Sequence, residues 1–170
     1  MKIRVFCLIS LALLVNSSFA YTILLPQRHW LAIANQLDQG GNTLDEVLPD
    51  VPAGTILSKW DCATQDYGTP YTFNERTLKW SPEGGTLVPG EGGVLFLNGA
   101  SPDPYPLTFT GTPHTPVLPA LLPCGCGAFS LLSRQTDDVG TYENITGRLA
   151  QEGAVLKRLD PNLNEWVVYT

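Results

Sequence analysis

Basic residues are scarce in this chain. It has 10 Lys and Arg against 16 Asp and Glu, and a formal charge of −6 at pH 7. Binding to a phosphate backbone depends on neutralisation by Lys and Arg, and binding to an anionic membrane surface depends on the same attraction. The charge balance therefore argues against nucleic acid and against an anionic bilayer surface as partners. It favours solubility and says nothing about the fold.

Groups suited to catalysis are also few. The chain has two histidines, His29 and His114, and no G-x-S-x-G sequence of the kind that presents a nucleophilic serine. Acidic pairs at 45–46 and 137–138 could serve glycosidase chemistry, which requires two carboxylates at a defined separation in space. Helix capping and solubility explain these pairs without that assumption. We expect no enzyme activity, cofactor or metal, and a hydrolase using paired carboxylates is the least favoured alternative.

Long apolar runs are missing apart from one at the start of the chain. Lys2 and Arg4 precede an apolar run at 5–15, and small residues follow at 18 and 20. This is the layout of a secretory signal peptide, and the run is too short for a stable membrane anchor. We expect residues 1–20 to be removed after Ala20, which leaves 8 Lys and Arg against 16 Asp and Glu. The mature protein is predicted to be secreted or cell-surface, with no membrane span.

Cysteine is sparse, and three cysteines remain after the predicted cleavage: Cys62, Cys124 and Cys126. An odd number in an exported protein leaves at least one thiol free, buried or paired with another chain. The sequence permits structural or incidental cysteines, a disulfide from Cys62 to Cys124 or Cys126, or a redox or metal role for the C-x-C pair. A C-x-C pair alone is a weak metal signal, and the first interpretation is favoured.

The strongest feature that is present is an internal repeat. The stretch from 30 to 61 recurs from 129 to 160 at an offset of 98 or 99 residues, with single-residue gaps only. The matched pairs include Trp30 and Phe129, Ile33 and Leu132, Thr43 and Thr141, Gly54 and Gly153, Leu57 and Leu156, Lys59 and Arg158, and Asp61 and Asp160. The counterpart of Tyr71-Thr72 is Tyr169-Thr170, and nothing matches residues 73–111. The second copy is therefore predicted to be incomplete.

Each copy is predicted to be β structure with one short helical turn. Thr43 and Glu46 have the spacing of a capping box, and Pro49 ends the turn early because proline lacks an amide donor. Pro89-Gly90 favours a tight turn, in which we expect Glu91 to accept hydrogen bonds from amides of its own turn. The most continuously apolar segment of the mature chain, 94–97, is expected to lie centrally in the sheet.

The predicted organisation has four parts. These are a signal peptide at 1–20, a first β repeat at 22–111, a proline-rich connector at 112–127 and a partial second repeat at 128–170. The connector contains four prolines, which resist regular structure and give a stiff, extended segment. The fold class is mainly β, a sandwich or small barrel built from a repeat of about 99 residues.

The segments WLAIAN (30–35), TLDEVLPDVP (43–52), LKWSP (78–82), LVPGEG (87–92) and LTFTG (107–111) resemble a repeat of exported bacterial proteins, whose usual form includes GWNLISNPL, TLDELFP and PGEGFFI segments. The chain departs from that form at His29, where glycine is usual, and at 93–95, where aromatics are usual. The family is uncharacterised. The resemblance implies an all-β module in an extracellular setting and gives no catalytic residues.

These observations lead to a non-catalytic β module, secreted or at the cell surface, with a structural or binding role. The alternative from a different class is a carbohydrate-binding module in which exposed aromatics, namely Trp60, Trp80 and Trp166, stack on sugars. In a small β domain, most of these side chains are expected in the core. Polysaccharide or another surface protein is the partner class that fits these hypotheses.

Overall fold

The computed structural model describes residues 18–99, 103–120, 124, 128–135, 140–160 and 165–170. Within these ranges the protein is mainly β, with several antiparallel sheets. The strands are β1 Phe19–Leu25, β2 Trp30–Ala34, β3 Leu37–Asp38, β4 Ile56–Ser58, β5 Trp60–Asp61, β6 Asp66–Tyr67, β7 Tyr71–Asn74, β8 Lys79–Ser81, β9 Gly92–Phe96, β10 Tyr105–Pro113, β11 Leu156–Asp160 and β12 Glu165–Tyr169. The helices are α1 Leu44–Val47 and α2 Tyr142–Thr146.

The largest sheet has five strands in the order β2-β9-β4-β7-β8, and every described pairing in it is antiparallel. Strand β9 lies between β2 and β4, with Leu95 opposite both Leu31 and Leu57. The predicted central position of the apolar segment is confirmed. Gly93 lets the strands pack closely there, because a Cβ at that position would lie 2.8 Å from Cδ1 of the buried Leu57 and displace it.

A second sheet has the order β1-β10-β3. Along β10, Leu107 and Phe109 point inward while Thr108 is exposed, which is the period-two alternation of a half-buried strand. The ring of Tyr21 on β1 stacks on Phe109 with centroids 5.0 Å apart. One core contains inward-facing side chains from both sheets and from the α1 region: Leu25, Leu31, Ile33, Leu44, Val47, Leu48, Val51, Leu57, Phe73, Trp80, Leu87, Leu95, Leu97, Leu107 and Phe109.

Helix α1 is a single capped turn, as its sequence predicts. The Thr43 side chain accepts a hydrogen bond from the Glu46 amide, and the Glu46 carboxylate accepts one from the Thr43 amide. Leu44 and Val47 are buried in the core. The other acidic side chain of this turn, Asp45, accepts a hydrogen bond from the Trp80 amide at 2.9 Å and so ties α1 to β8.

The later part of the chain contains α2 and a two-stranded hairpin. Helix α2 has its own capping box, formed by Thr141 and Asn144, and it ends at Gly147 in the left-handed conformation. Strands β11 and β12 pair antiparallel, with Leu156 opposite Tyr169. The described strands form no closed barrel, so the small-barrel alternative is wrong. No helix in the described ranges is long and apolar enough to span a bilayer.

Two predicted boundaries differ from the strand ends. Strand β1 begins at Phe19, two residues inside the predicted signal peptide, most of which lies outside the described residues. Strand β10 ends at Pro113, two residues inside the predicted connector, because Thr112 and Pro113 pair with Asp38 and Leu37 of β3. Regular pairing therefore continues into the proline-rich stretch.

Candidate binding surface

The three tryptophans predicted to stack on a ligand do not share an exposed surface. Trp80 is only 3% exposed, its indole Nε1–H donates to the Leu48 carbonyl at 3.0 Å, and its ring packs against Phe73. Trp80 is a core residue, so its assignment to a ligand-stacking surface is wrong. Strand parity is the physical reason, since residue 80 faces inward while its neighbours Lys79 and Ser81 are exposed.

Trp60 and Trp166 lie in different hairpins. Trp60, on β5, is half-buried, packs edge-on against Tyr67 of β6 at 5.4 Å, and donates its indole N–H to the Phe129 carbonyl at 2.8 Å. Burial raises the pKa of Tyr67, and the neighbouring Asp66 carboxylate raises it further. Trp166, on β12, is 41% exposed. Trp60 therefore helps to hold a neighbouring segment, and Trp166 remains available to solvent.

Two of the three cysteines that follow the predicted signal peptide are bonded to each other. Cys62 and Cys124 form a disulfide with Cα atoms 4.8 Å apart and a sequence separation of 62. The favoured interpretation, structural or incidental cysteines, is therefore wrong for Cys62 and Cys124, and the structure has the second alternative, a disulfide from Cys62 to the first cysteine of the C-x-C pair. Cys126 lies outside the described residues.

We use the names first unit for residues 22–111 and second unit for residues 128–170. Next to the disulfide, residues 128–135 lie against the β5–β6 hairpin and the Pro89-Gly90 turn of the first unit, and we refer to them as the docked segment. The amide of Phe129 donates to Oε1 of Gln65 at 2.8 Å, and Leu132 forms an isolated antiparallel bridge with Glu91. The amide of Ser133 donates to the Gly90 carbonyl at 3.1 Å. The docked segment is thus held by its own backbone groups, which bond to the Trp60 and Gln65 side chains of the β5–β6 hairpin and to the Gly90 carbonyl.

The Pro89-Gly90 turn has the geometry that its sequence predicts. Gly90 has φ +87°, and the Glu91 amide donates to the Val88 carbonyl at 2.9 Å. The Glu91 carboxylate accepts from the Val88 amide at 3.0 Å, which confirms the expected hydrogen bond within the turn. Its other oxygen forms an ion pair with Lys59, whose ammonium also donates to the Thr86 carbonyl.

Other described carboxylates also have structural partners. The backbone amide of Gly40 and the side-chain amide of Asn42 donate to Asp38 and hold the pKa of that carboxyl below its usual value. Asp45 and Glu46 bond to backbone amides around α1. The acidic pair at 137–138 lies outside the described residues.

The five-stranded sheet presents an exposed row on the face opposite the core, which we call the outer row. It consists of residues directly opposite one another on consecutive strands: Trp30, Phe96, Ile56, Thr72 and Ser81. Trp30 is 40% exposed and its ring lies 5.3 Å from that of Phe96 at a tilt of 44°. Phe96 and Ile56 are half-buried, and Thr72 and Ser81 are exposed. Two aromatic rings and two hydroxyl groups therefore lie on one surface.

The docked segment covers the other end of this face. Gly92 is two residues before Val94 on β9 and faces the same side as Phe96. A methyl group placed on Gly92 would lie 3.5 Å from Cγ of Leu131. Val94 is buried between these two positions. The docked segment therefore covers the Gly92 end of this sheet face, and the outer row is the part at the Phe96 end that it leaves uncovered.

No metal centre is formed by the described part of the chain, because no three His, Cys, Asp or Glu side chains come together there. Comparisons with protein-family models, curated protein sequences and solved structures find no match. The resemblance to an exported bacterial repeat stays a prediction.

Sequence reasoning did not identify the outer row. The signal was present, because Trp30 and Ala32 alternate with the apolar Leu31 and Ile33 along β2. Alternation separates the two faces of a strand, but all four of these residues, two on each face, are apolar, so hydrophobicity does not say which face is buried. Pairing with β9 is needed to place Trp30 beside Phe96.

Proposed function

We propose that the chain is a non-catalytic, exported β module with a structural or binding role outside the cytoplasm. The observation that carries this proposal is the disulfide between Cys62 and Cys124. Disulfides persist in oxidising compartments and are rare in the cytosol. This one joins the first unit to the connector beside the docked segment, where a covalent link strengthens an arrangement otherwise held by a few hydrogen bonds, among them those of the Trp60 and Gln65 side chains.

The repeat is part of the proposal. Thr43 and Thr141 are 98 residues apart, and each caps a short helix through a capping box. The strand pairs support it further, because Leu57 lies opposite Tyr71 and Leu156 lies opposite Tyr169. Residues aligned by sequence thus occupy equivalent positions in two strand pairs.

A two-sheet sandwich is the architecture we propose for the first unit. Leu107 and Phe109 of the β1-β10-β3 sheet share one core with Leu57 and Leu95 of the five-stranded sheet. A common core between two inner faces is the basis of sandwich packing.

The non-catalytic part of the proposal is supported by how the carboxylates are used. Glu46 caps α1, Glu91 pairs with Lys59, and Asp38 accepts from two amides. A pair of glycosidase carboxylates needs one group with a raised pKa. Among the described carboxyl groups, each resolved pKa shift is downward.

A carbohydrate-binding role is the second candidate, and the outer row is the observation that favours it. The apolar face of a sugar ring packs on an exposed aromatic ring, and nearby hydroxyl groups can bond to sugar hydroxyls. Trp30 and Phe96 supply the rings, while Thr72 and Ser81 supply hydroxyls on the same face. None of the residues of the row is charged, which suits a neutral polysaccharide.

Replacing Trp30 by alanine tests this candidate. We expect binding to insoluble polysaccharides such as cellulose or chitin to weaken tenfold or more, because truncating a central interface tryptophan typically costs about 2 kcal/mol. Pull-down of the purified protein at increasing polysaccharide concentration measures the change. Trp166→Ala is the matched comparison, because Trp166 is an exposed tryptophan of the β11–β12 hairpin, outside the outer row, and weaker binding in this variant alone would assign sugar stacking to that hairpin instead. Equal binding by both variants, or no binding by the unmodified protein, rejects the candidate.

Expressing the full chain in a bacterium with an export pathway tests the main proposal. We expect mass spectrometry of the exported product to show Tyr21 at its N-terminus, because the small residues at 18 and 20 direct cleavage after Ala20. Thiol counting in denaturant is expected to find one free thiol before reduction and three after it. A retained leader, or three free thiols in the unreduced exported protein, contradicts export into an oxidising compartment.

A further inference from the structure

The β11–β12 hairpin has the same register as a strand pair inside the five-stranded sheet. Leu57 of β4 lies opposite Tyr71 of β7, and Leu156 of β11 lies opposite Tyr169 of β12. The two leucines are 99 residues apart and the two tyrosines 98 apart, which are the offsets of the repeat. Strand β11 is therefore the counterpart of β4, and β12 the counterpart of β7.

The two strand pairs differ at their other edge. In the first unit, β4 is also paired with β9, with Leu57 opposite Leu95. In the described residues, β11 pairs with β12 alone. The two leucines also differ in burial: Leu57 faces the core and is 0% exposed, while Leu156 is 49% exposed. A lone two-stranded hairpin is marginally stable in water, and an apolar free edge is a template for a further strand.

Among the described residues, a charged group at this edge also lacks the partner that its counterpart has. Lys59, next to β4, forms an ion pair with Glu91, which immediately precedes β9. The aligned residue in the second unit is Arg158, which is exposed and forms no ion pair with any described residue. A strand that paired with β11 as β9 pairs with β4 would bring an acidic residue to Arg158.

We propose that the free edge of β11 binds an antiparallel strand of a partner protein. That strand has the chemistry of the segment around β9: an acidic residue followed, three positions later, by three consecutive apolar residues, as in Glu91 and Val94–Phe96. Main-chain hydrogen bonds to β11 supply affinity, contact with Leu156 excludes water, and the ion pair with Arg158 sets the register. This inference rests on the proposed repeat, but it does not depend on export or on sugar binding.

The test uses the disulfide-intact chain and a fluorescein-labelled synthetic peptide with the sequence of residues 88–98. Fluorescence anisotropy is expected to show saturable binding with one peptide per chain. Leu156→Asp is expected to weaken binding at least tenfold, because it places a charge in the apolar contact. Leu78→Asp, which changes an exposed leucine in the turn between β7 and β8, is the matched control and is expected to bind normally.

A charge reversal tests the register. Arg158→Glu is expected to weaken binding several-fold, and a peptide carrying lysine at the position of Glu91 is expected to restore it. Hydrogen exchange of the complex is expected to show new protection at 155–158. Thermal unfolding midpoints confirm that the variants fold.

Three results would overturn the proposal. One is the absence of saturable binding up to the solubility limit of the peptide. Another is protection of the β4 amides in place of those of β11, which indicates exchange with β9 in the first unit. The last is a dimer that is seen by sedimentation velocity and abolished by Leu156→Asp. This result would show that the edge of β11 binds a second copy of the same chain and not a different protein. The export and thiol-counting test is unaffected by any of these outcomes.

Discussion

Trp80→Ala is expected to destabilise the protein by about 3–5 kcal/mol, the usual range for truncating a buried aromatic residue. The substitution removes the contact with Phe73 and leaves a cavity between β8 and α1. It also leaves the buried Leu48 carbonyl without its indole donor, which adds a desolvation cost. Because total stabilities are typically about 5–15 kcal/mol, the variant is expected to be partly unfolded at 37 °C. Urea denaturation followed by far-ultraviolet circular dichroism measures the loss.

Trp166→Ala provides the comparison for this substitution. Trp166 lies on the β11–β12 hairpin with 41% of its surface exposed, so its loss is expected to change the free energy of unfolding by less than about 1 kcal/mol. Equal losses for the two variants would contradict the assignment of Trp80 to the core. A stable Trp80→Ala variant that had lost polysaccharide binding would return Trp80 to the binding surface.

Cys62→Ser is expected to destabilise the protein by about 4 kcal/mol, from the chain entropy of a closed loop of this length. The disulfide spans 62 residues of sequence and closes beside the docked segment. Without it, the docked segment is attached by Trp60, Gln65 and backbone bonds to Gly90. We therefore expect faster hydrogen exchange at 128–135 in addition to a lower unfolding midpoint.

The control for this variant is Cys126→Ser, which leaves the Cys62–Cys124 disulfide in place and is expected to keep normal stability. Cys124→Ser is less informative, because Cys62 and Cys126 both remain and can form a new pair. Unchanged exchange at 128–135 in Cys62→Ser, with the midpoint also unchanged, would show that the disulfide does not hold the docked segment. Loss of stability in Cys126→Ser would show that the pairing differs.

Features set by neighbouring residues were predictable from the sequence. The capping box of Thr43 and Glu46 needs residues three apart, and the turn at Pro89-Gly90 needs a fixed φ followed by a positive one. Both depend on groups within one turn of the chain, so tertiary context has little to change. The apolar segment at 94–97 is predicted to lie centrally because a continuous apolar run needs cover on both faces. The structure confirms these predictions.

Which tryptophan is buried was not predictable from the sequence. Trp80 and Trp30 both lie in short strands, and both were visible as large aromatic residues. Their burial depends on strand parity and on which face of the sheet meets the second sheet. Trp80 faces the core, while Trp30 lies beside Phe96 on the opposite face. A shift of one residue in pairing would exchange these roles, and sequence alone did not give that register.

By itself, the sequence determined the β character, the short capped helical turns, the Pro89-Gly90 turn and the alignment of residues 30–61 with residues 129–160. Each follows from residue types at short spacing or from direct comparison of the chain with itself. Only the tertiary structure decided which cysteine pairs with Cys62, which tryptophan is buried and that β11 pairs with β12 alone among the described strands. These three features depend on contacts between residues far apart in the chain. Strand register and the packing of whole sheets bring such residues together, and no local sequence pattern encodes either of them.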